Sequence, residues 1–471
     1  MRLLPIVSPT PEQLKILGDS RPGFVLIRGA AGSGKTTTSL LRLRQLSGTR
    51  LARRMRLGAQ NPVRVLVLTY NTTLQGYIAE LAESQVQQDD GLLLEVKTFG
   101  KWATDLVGRV NIVDRGEVTA ALRPLIREVV PSGSPLDFWV DEVEYALSRL
   151  LPDELDEYVA AKRDGRGTSP RVDRTLRRRL LDEVILPYQK IKADRGLCDW
   201  NDLALEAMAS EPAVYDIVIV DEAQDFSANQ VRAILAHVSD DTSVTFVLDA
   251  VQRIYPRYFT WAEIGIEQRN LRVYKLKQNH RNTEAIARFV LPLVAGLPLD
   301  DDGSLPDFTA CVHSGGRRPV VVAGKYSDQL DYMLDDVIAN VDLARESVAI
   351  LQPLGGGWFD YARAELRRRG ISFCELQRSR TWPTGPENVG LSTIHSAKGL
   401  EFDHVLLPGL NAQVTPHGEG EGDASLEQLR RLLAMGIGRA TTSVMVGYKR
   451  SDESDLIGLL DPSTYDLIEL S

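Results

Sequence analysis

The residues that could carry chemistry begin with a glycine-rich stretch, RGAAGSGKTTT, which starts at Arg28. It fits the pattern G-x-x-x-x-G-K-[ST] and lies between an apolar run, GFVLI, and a helical pattern, SLLRLRQL. In such a loop backbone N–H groups surround phosphates, the lysine (Lys35) reaches the terminal ones, and a hydroxyl (Thr36) binds Mg²⁺. The stretch predicts a nucleoside triphosphate site whose phosphate-binding residues are Gly29, Ala30, Ala31, Gly32, Ser33, Gly34, Lys35, Thr36 and Thr37.

A pair of carboxylates follows the apolar run DIVIV. Asp221 comes at the end of that run, where it can hold the magnesium shell opposite Thr36. Glu222 is beside it, where it can orient and deprotonate an attacking water. An acidic surface turn is the alternative, but the apolar IVIV before it predicts a buried strand. Together the two motifs predict an NTPase that uses Mg²⁺, and they do not distinguish a kinase from a motor.

Composition limits the class of protein. The chain has 471 residues, 43% of them apolar and 25% charged, which is typical of a globular protein of about three domains. The N-terminal apolar stretch is too short for a secretory signal, and no apolar run approaches the roughly 18 residues of a membrane span. Three widely separated cysteines argue against a disulfide framework or a zinc site: Cys198, Cys311 and Cys374. We expect a cytoplasmic protein without a membrane partner.

Charge is distributed unevenly along the chain. The net charge is −9, which by itself argues against a nucleic-acid partner. Residues 103–159 carry 5 basic and 12 acidic side chains, whereas residues 160–195 carry 11 basic and 5 acidic ones. The basic segment includes RTLRRRL, Arg174 to Leu180, and a local basic face suffices for phosphate contact. A solvated helix face is the simpler interpretation of this run alone.

Short apolar runs alternate with helical patterns over most of the chain. Five runs are typical of strands buried on both faces of a parallel sheet: GFVLIR, VRVLVLT, LLLEVK, DIVIVD and VTFVLD. A helical pattern interrupts them at 103–195, and a second set of strands begins at LRVYKL. The predicted fold class is α/β, with two parallel-sheet domains and a helical insertion in the first. We assign 1–102 and 196–271 to the first domain, 103–195 to the insertion and 272–471 to the second domain.

Two arginines in the second half could act on a phosphate from across a cleft. They are Arg281 in QNHRN and Arg439 in GIGRATT. A guanidinium that reaches the transferring phosphoryl group stabilises its charge and couples cleft closure to the nucleotide. A single arginine is usually an ordinary surface residue, so these two gain weight only from the motifs around them.

The motifs resemble, in order and over nearly the whole chain, those of superfamily 1 DNA helicases of the UvrD/Rep/PcrA type. TPEQLKIL is similar to the Q motif, LTYNTTLQ to motif Ia, KTFGKW to motif Ib, DEAQD to motif II and LDAVQRIY to motif III. LKQNHRNTEAI, STIHSAKGLEFDHV and EQLRRLLAMGIGRA are similar to motifs IV, V and VI. The resemblance implies two RecA-like P-loop NTPase domains with ATP hydrolysed in the cleft between them.

The same resemblance implies roles for single residues. Gln13 would read adenine, and its amide suits that role because it can pair with both N6 and N7. Further contacts at the ATP site would come from His280, Glu401 and Gln252, the last of which would sense the γ-phosphate. Stacking aromatics and polar groups would contact the strand: Tyr70, Asn71, Thr98, Phe99, Tyr255, Trp261 and His395. A packed core position is the even alternative for any one aromatic, and we assign Trp102 and Trp200 to packing.

Three positions depart from the family pattern, and one segment is missing. Motif III has Leu248 where glycine is usual, motif IV has His280 in place of a stacking aromatic, and motif VI has Gly438 where threonine is usual. The interval 281–391 leaves room for the strands of the second α/β domain but not for the family's large second accessory domain. The insertion at 103–195 matches the first accessory domain, so we expect a compact form.

These features favour an ATP-driven single-stranded DNA translocase with helicase activity, which the resemblance implies moves 3′ to 5′. The alternative is an ATP-gated nucleic-acid sensor or regulatory subunit that does not unwind, because the second accessory domain is missing. A metabolic P-loop kinase is disfavoured, since a small-molecule pocket would not explain motifs V and VI. The expected partners are single-stranded DNA, or a forked duplex, and a protein that assists unwinding; DNA against RNA stays open.

Overall fold

The computed structural model describes most of the chain. The described residues are 8–29, 32–70, 72–85, 91–108, 110–161, 170–248, 259–297, 311–354, 357–376, 382–383, 385–418 and 423–470. Five of the expected site residues lie outside these ranges: Ala30, Ala31, Asn71, Gln252 and Tyr255. No helix within the ranges is both long and apolar enough to cross a membrane.

The N-terminal half forms a parallel sheet, its flanking helices and a helical insertion. In chain order the elements are α1 (Pro11–Leu17), β1 (Gly23–Gly29), α2 (Lys35–Leu57), β2 (Val63–Thr69), α3 (Thr72–Gln85), β3 (Leu92–Thr98), α4 (Phe99–Val107), α5 (Arg115–Val129), α6 (Leu136–Arg149), α7 (Arg174–Leu180), α8 (Leu186–Arg195), α9 (Trp200–Ala209), β4 (Ile217–Val220), α10 (Ala228–Leu235), β5 (Ser243–Leu248) and β6 (Leu271–Leu276). The strand order is β3-β2-β4-β5-β1-β6, and neighbouring strands are parallel.

Local sequence explains where the elements around the site begin. Helix α1 starts at a capping box in which Thr10 and Gln13 exchange hydrogen bonds, with Pro11 in the first turn. Strands β4 and β5 are buried along their whole length, as their continuous apolar runs predict. Because parallel strands end at one edge of a sheet, the loop after β1 and the carboxylates after β4 meet at that edge.

Strand β6 corrects one predicted domain boundary. It pairs in parallel with β1, from Phe24 opposite Leu271 to Gly29 opposite Leu276. The first sheet therefore extends to Leu276 rather than ending at 271, and LRVYKL does not open the second set of strands. An apolar pattern identifies a strand but does not say which sheet will accept it.

The insertion has an apolar core of its own, formed by helices α5 to α8 and the segments between them. Trp139 is 1% exposed within that core and packs edge-on against Phe138, with ring centroids 5.0 Å apart. Helix α5 begins at a capping box between Asp114 and Glu117. A short π-helical turn, Leu181–Ile185, joins α7 to α8. Residues from Val113 onwards thus form a layer that packs separately from the sheet, whereas Ala103, with the rest of α4, belongs to the core of the first domain.

A second parallel sheet forms from the C-terminal half. Its elements are β7 (Asn279–Thr283), α11 (Glu284–Val294), β8 (Cys311–His313), β9 (Val320–Ala323), α12 (Tyr326–Asn340), β10 (Val348–Gln352), α13 (Trp358–Arg368), β11 (Phe373–Glu375), β12 (Val389–Thr393), β13 (Phe402–Leu407), α14 (Ala424–Ile437), β14 (Ala440–Tyr448), α15 (Asp455–Gly458) and β15 (Asp466–Glu469). The strand order is β11-β12-β10-β13-β14-β9-β15, and β7 pairs with β8 separately. The predicted α/β class with two parallel sheets is confirmed.

Helix α3 of the first domain packs directly against the second domain. Thr73 Oγ1 donates a hydrogen bond to the carbonyl of Leu376 at 2.9 Å. One turn further along, the ring of Tyr77 lies edge-on to Trp382, with centroids 4.9 Å apart. Both rings are buried and belong to an apolar core that contains side chains of both domains. The two sheets are therefore joined by packing as well as by the groups at the nucleotide site.

This packing predicts the effect of removing Trp382. We expect Trp382→Ala to lower the free energy of unfolding by about 3 kcal/mol, because it leaves a cavity against Tyr77 in the shared core. Leu354→Ala, at a 49% exposed position of the same domain, is the matched control and should change it by less than about 0.5 kcal/mol. Urea unfolding measures both. An equal, small effect of the two substitutions would contradict a shared core.

Candidate nucleotide site and strand-binding cleft

The phosphate-binding loop is held tightly between the first sheet and β7. Gly32 has a φ of 77°, a conformation that favours glycine. A Cβ there would lie 2.1 Å from Asn279 Oδ1, and a Cβ at Gly29 would lie 2.3 Å from Ser33 Oγ. The N–H of His280 donates to the carbonyl of Gly32 at 2.8 Å. The loop has no room for larger side chains, so its backbone N–H groups can approach phosphates closely.

The lysine and hydroxyl of the loop lie where the motif predicts. Lys35 Nζ donates to the carbonyl of Gly29 at 2.9 Å, so the ammonium lies across the loop. Thr36 Oγ1 donates to Asp221 Oδ2 at 3.1 Å. Two oxygens at roughly 2.0–2.1 Å from one Mg²⁺, in adjacent octahedral positions, are about 3.0 Å apart. Thr36 and Asp221 therefore fit the two protein ligands of a Mg²⁺ that takes its other ligands from phosphates and water.

The two motif II carboxylates differ in how their surroundings affect them. Burial raises the pKa of Asp221, repulsion from Glu222 raises it further, and the result is about 7. Burial also raises the pKa of Glu222, but Lys398, Arg439 and Lys35 outweigh it and hold that pKa below its usual range. Glu222 is therefore the carboxylate that stays ionised, as a base that accepts a proton from water must be.

The backbone at Glu222 is strained. Its φ of 53° makes it the one non-glycine residue with a left-handed backbone among those described. Such a conformation costs of order 1 kcal/mol and persists only where surrounding contacts fix it. Gln224 Nε2 donates to Glu222 Oε2, and Lys398 Nζ lies 3.8 Å from the same oxygen. These contacts direct the carboxylate towards the cleft between the domains.

A buried ion pair crosses the cleft from motif V to motif II. Lys398, in the loop between β12 and β13, has its Nζ 2.5 Å from Asp225 Oδ2. The two side chains are 1% and 0% exposed. Because the same ammonium also faces Glu222, this single residue of the second domain contacts the carboxylates of the first. Nothing in the sequence patterns singled out Lys398, although it lies within the motif V match.

The two predicted arginines also lie at the cleft. Arg281 pairs with Glu401, and its Nη1 donates to the carbonyl of Gly438 at 3.3 Å. Its Nε is buried and has no hydrogen-bond acceptor within the described ranges. Arg439 is 2% exposed, donates from Nη1 to the carbonyl of Leu400 at 3.3 Å, and lowers the pKa of Glu222. Glu401 thus holds Arg281 in place, which is a different role from the direct ATP contact that the resemblance implies.

The proposed adenine contacts flank the loop on its other side. Gln13 is 3% exposed, and its Nε2 faces Gly34 so closely that a Cβ there would lie 2.9 Å away. Its Oε1 accepts from the N–H of Thr10, as part of the cap of α1. His280 is half-buried beside the loop, and burial lowers its pKa, so its imidazole is neutral at pH 7. Both residues lie near the phosphates, and adenine recognition by them stays a prediction.

A cavity of about 440 Å³ lies where the first domain, the insertion and the second domain meet. Tyr70, His395 and Gln428 are among its lining residues, and two of these three were predicted strand contacts. Partial desolvation lowers the pKa of His395, and the ammonium of Lys398 lowers it further, so a neutral ring faces the cavity. An aromatic phenol and a neutral imidazole are suitable groups for stacking on bases.

Two other predicted strand contacts, Phe99 and Thr98, have their neighbours within the first domain. Phe99 is 3% exposed and packs against Trp102 and Phe226, so the prediction of a base platform at Phe99 is wrong. The Thr98 hydroxyl accepts from the N–H of Lys101 and caps α4. The sequence pattern places both residues at the end of β3 but does not reveal that the helix turns the phenyl ring inwards.

Trp261 is partly buried against the aromatic side chains of the first domain. Its ring lies 4.8 Å from that of Phe246 and 5.8 Å from that of Phe259. A role for Trp261 at the strand stays a prediction. Trp102 donates from Nε1 to Tyr215 Oη at 3.2 Å and is 1% exposed, which confirms its assignment to packing.

Trp200 is more exposed than its assignment to packing predicts. It is 49% exposed and lines the same cavity as Tyr70 and His395. Its ring covers Gly100, where a Cβ would lie 2.7 Å from Cζ3. The assignment of Trp200 to packing is therefore wrong. Its position directly after the helix cap Asp199 is a signal that could have found it, because first-turn side chains are often exposed.

The arginines of the basic run in the insertion have local partners, and two of the three have carboxylates. Arg177 Nη1 donates to the carbonyl of Ala161 at 2.6 Å, Arg178 pairs with Asp156 at 2.7 Å, and Arg179 pairs with Glu183 at 2.9 Å. Exposed pairs of this kind contribute little to stability, but they lower the charge that is available for phosphates. The simpler interpretation of the run, a solvated helix face, agrees with these contacts better than a duplex-binding patch does.

The fold and the site together define a class of protein: a P-loop nucleotide-binding protein in which a second parallel-sheet domain contributes charged groups to the phosphate site. Two family descriptions match this chain. An AAA domain matches residues 13–257, more than half of the chain, and a UvrD-like helicase C-terminal domain matches residues 370–451. The chain therefore belongs to the UvrD-like helicase family.

Curated relatives align over a short part of their length. A segment of 67 residues is 46% identical to the ATP-dependent DNA helicase PcrA of Bacillus subtilis (strain 168), covering 14% of this chain and 9% of that protein. A segment of 67 residues is 40% identical to a probable DNA helicase II homolog of Rickettsia conorii, covering 14% and 10%. The aligned part thus spans about a tenth of these relatives.

The comparison with solved structures includes one domain that covers part of this chain. It is the C-terminal domain of a possible DNA helicase from Lactobacillus plantarum WCFS1, 22% identical, covering 40% of this chain and 98% of its own. The TM-score is 0.30, so this likeness adds nothing to the fold described above.

The raised pKa of Asp221 predicts how Asp221→Asn affects stability. A carboxyl with a higher pKa in the folded than in the unfolded chain retains its proton on folding, so the unfolding free energy falls as pH rises from about 4 to about 7. Asparagine has no such titration and still offers an oxygen to Thr36. We expect thermal unfolding in EDTA to show that the stability of the variant relative to the wild type is higher at about pH 8 than at about pH 5. A pH-independent difference would contradict the raised pKa.

Proposed function

We propose that this chain is an ATP-driven translocase on single-stranded DNA, with Mg²⁺ and ATP bound between the two sheets. By family resemblance it moves 3′ to 5′. The phosphate-binding loop, the Thr36–Asp221 pair and the ionised Glu222 supply the parts of an ATPase site. Membership of the UvrD-like helicase family, and relatives whose names specify DNA helicases, support DNA as the track.

The observation that carries the proposal is the geometry of one loop, Ile394–Leu400. His395 in this loop faces the strand-cleft cavity, and Lys398, three residues later, is paired with Asp225 beside Glu222. A strand that displaces or stacks on His395 therefore acts on the segment that positions the Lys398 ammonium. Such a connection between strand and carboxylates is what a motor needs and what a metabolic kinase does not.

The strand would lie across the mouth of the cavity, stacked on aromatic rings. Tyr70 and Trp200 come from the first domain and His395 from the second. Stacking of this kind is worth about 1–3 kcal/mol per base and carries no sequence code. Because the rings belong to two domains, closing and reopening the cleft would move the strand contact at His395 relative to the contacts at Tyr70 and Trp200.

Duplex unwinding is the weaker part of the proposed activity. The helices and strands described between 281 and 391 pack on the second sheet or beside it, and they form no further accessory layer within the described ranges. Opening each base-pair step costs about 1.4 kcal/mol in stacking. We propose that the isolated chain unwinds forked duplex weakly or over short distances, and that a partner protein assists it.

The test is the rate of ATP hydrolysis with single-stranded DNA, single-stranded RNA and blunt duplex. We expect single-stranded DNA to raise turnover at least about tenfold and blunt duplex to have little effect, because the stacking platforms need unpaired bases. Glu222→Gln is the control for the site: it should bind Mg·ATP and DNA while turnover falls by about 10²-fold or more.

Three outcomes would overturn parts of this proposal. Equal turnover with and without every nucleic acid would remove the motor and leave a nucleotide-binding protein. Near wild-type turnover of Glu222→Gln would mean that another group activates the water. Stronger stimulation by RNA than by DNA would move the track to RNA while leaving the ATP site as described.

A further inference from the structure

Trp200 is exposed but rigidly placed, and the groups that place it come from the insertion. It is the first residue of α9, and the carboxylate of Asp199 caps that helix by accepting from the N–H groups of Asn201 and Asp202 at 2.8 and 3.0 Å. Asp202 accepts in turn from the N–H of Asp199 at 2.9 Å. The two carboxylates that flank Trp200 therefore fix the backbone on both sides of it.

One lysine of the insertion pairs with both carboxylates. Lys192, in the last turn of α8, has its Nζ 2.7 Å from Asp199 Oδ2 and 2.7 Å from both oxygens of Asp202. Its side chain is 4% exposed, and the carboxylates are 7% and 22% exposed. Tyr188 supports the cluster by donating from Oη to Asp199 Oδ2 at 3.1 Å. Two carboxylates this close and this dry repel each other unless a cation lies between them.

The cluster also lies at the point where the insertion joins the first domain. A backbone bridge connects the entering and leaving segments, with the N–H of Val113 donating to the carbonyl of Cys198 at 2.9 Å. Asp199 is the next residue. The indole of Trp200 then lies over Gly100, which has no side chain to displace it. Tyr188 and Asp199 also line the cavity, so the Lys192 cluster lies at its wall and supports the backbone and ring of Trp200 there.

We propose that Lys192 is a positioning residue for single-strand binding: by holding Asp199 and Asp202 it fixes the Trp200 ring as a base platform, and the insertion thereby supports the strand grip from the side. This inference rests on the proposed function, because it requires a single strand in the cleft. It gives the insertion a role that depends neither on contact with duplex DNA nor on the charges of Arg177, Arg178 and Arg179.

A double-mutant cycle with Lys192→Met and Trp200→Ala tests the inference, with fluorescein-labelled oligothymidine as the probe. Trp200→Ala should lower affinity by about 5- to 150-fold, the range of one lost stacking platform. Lys192→Met should lower it nearly as much in the wild-type background and by less than about twofold in the Trp200→Ala background. A residue that merely stabilises the fold would instead lower affinity by the same factor in both backgrounds.

Three further variants keep the result interpretable. Lys190→Met removes an exposed lysine from the same helix and the same net charge, and it should change affinity by less than about twofold. Lys192→Arg, whose guanidinium can bridge two carboxylates, should restore most of the affinity. Tyr188→Phe removes one hydrogen bond from Asp199 and is mild enough to fold if Lys192→Met is not; its smaller loss should also vanish in the Trp200→Ala background.

The possible failures are distinct. Wild-type protein that binds oligothymidine while the two substitutions act additively overturns the role of Lys192 and leaves the proposed function standing. Unchanged binding by Trp200→Ala also overturns the role of Lys192 without overturning the proposed function. Wild-type protein with no affinity for single-stranded DNA overturns both the function and the inference.

Discussion

A buried charge at the junction of the two domains constrains the rest of the structure. Lys398 is 1% exposed and Asp225 0% exposed, and each would be very costly to bury without the other. Opening the cleft separates them and leaves an unpaired ammonium on one side and a cluster of carboxylates on the other. The pairing therefore favours a closed cleft. Any group that competes for the carboxylates, or moves the lysine, shifts the equilibrium between the closed and the open cleft.

The fold supplies the elements that make this pairing possible. The carboxyl edge of the first sheet brings the loop after β1 and the carboxylates after β4 together, and the loop after β12 brings Lys398 to them from the second sheet. Packing of α3 against Leu376 and Trp382 also holds the domains together, and Leu74 of the same helix lies against Gly399, next to Lys398. The charged pair is thus set beside an apolar contact between the domains.

The nucleotide side of the site could be predicted from sequence because its chemistry is local. Gly32, Lys35 and Thr36 follow one another in the chain, and a buried strand fixes the position of Asp221 directly. The strand cleft was harder, because exposure depends on tertiary packing. Phe99 and Trp200 follow similar turns, yet α4 directs Phe99 into the core whereas the cap at Asp199 leaves Trp200 half-exposed.

The limits of sequence reasoning also show at β6 and at the arginine run. The run that forms β6 has a strand pattern, but its partner β1 is some 250 residues earlier in the chain, and sequence periodicity does not specify pairing at that distance. A cluster of arginines predicts a basic face only when no carboxylates lie beside it. Asp156 and Glu183 supply them here. For β6 the missing information was a partner distant in sequence, whereas Glu183 is only four residues from the arginine that it pairs with.

The most direct test of the link between strand and carboxylates is the ratio of ATP turnover with single-stranded DNA to turnover without it, measured for Lys398→Met. Lys449→Met, an exposed lysine of the same domain, is the matched control. If the loop that carries His395 and Lys398 transmits strand binding to Glu222, the ratio should fall close to one in Lys398→Met, with DNA affinity retained, and should stay at the wild-type value in the control. A wild-type ratio in Lys398→Met would contradict the account, because strand binding would then reach the ATP site by another route.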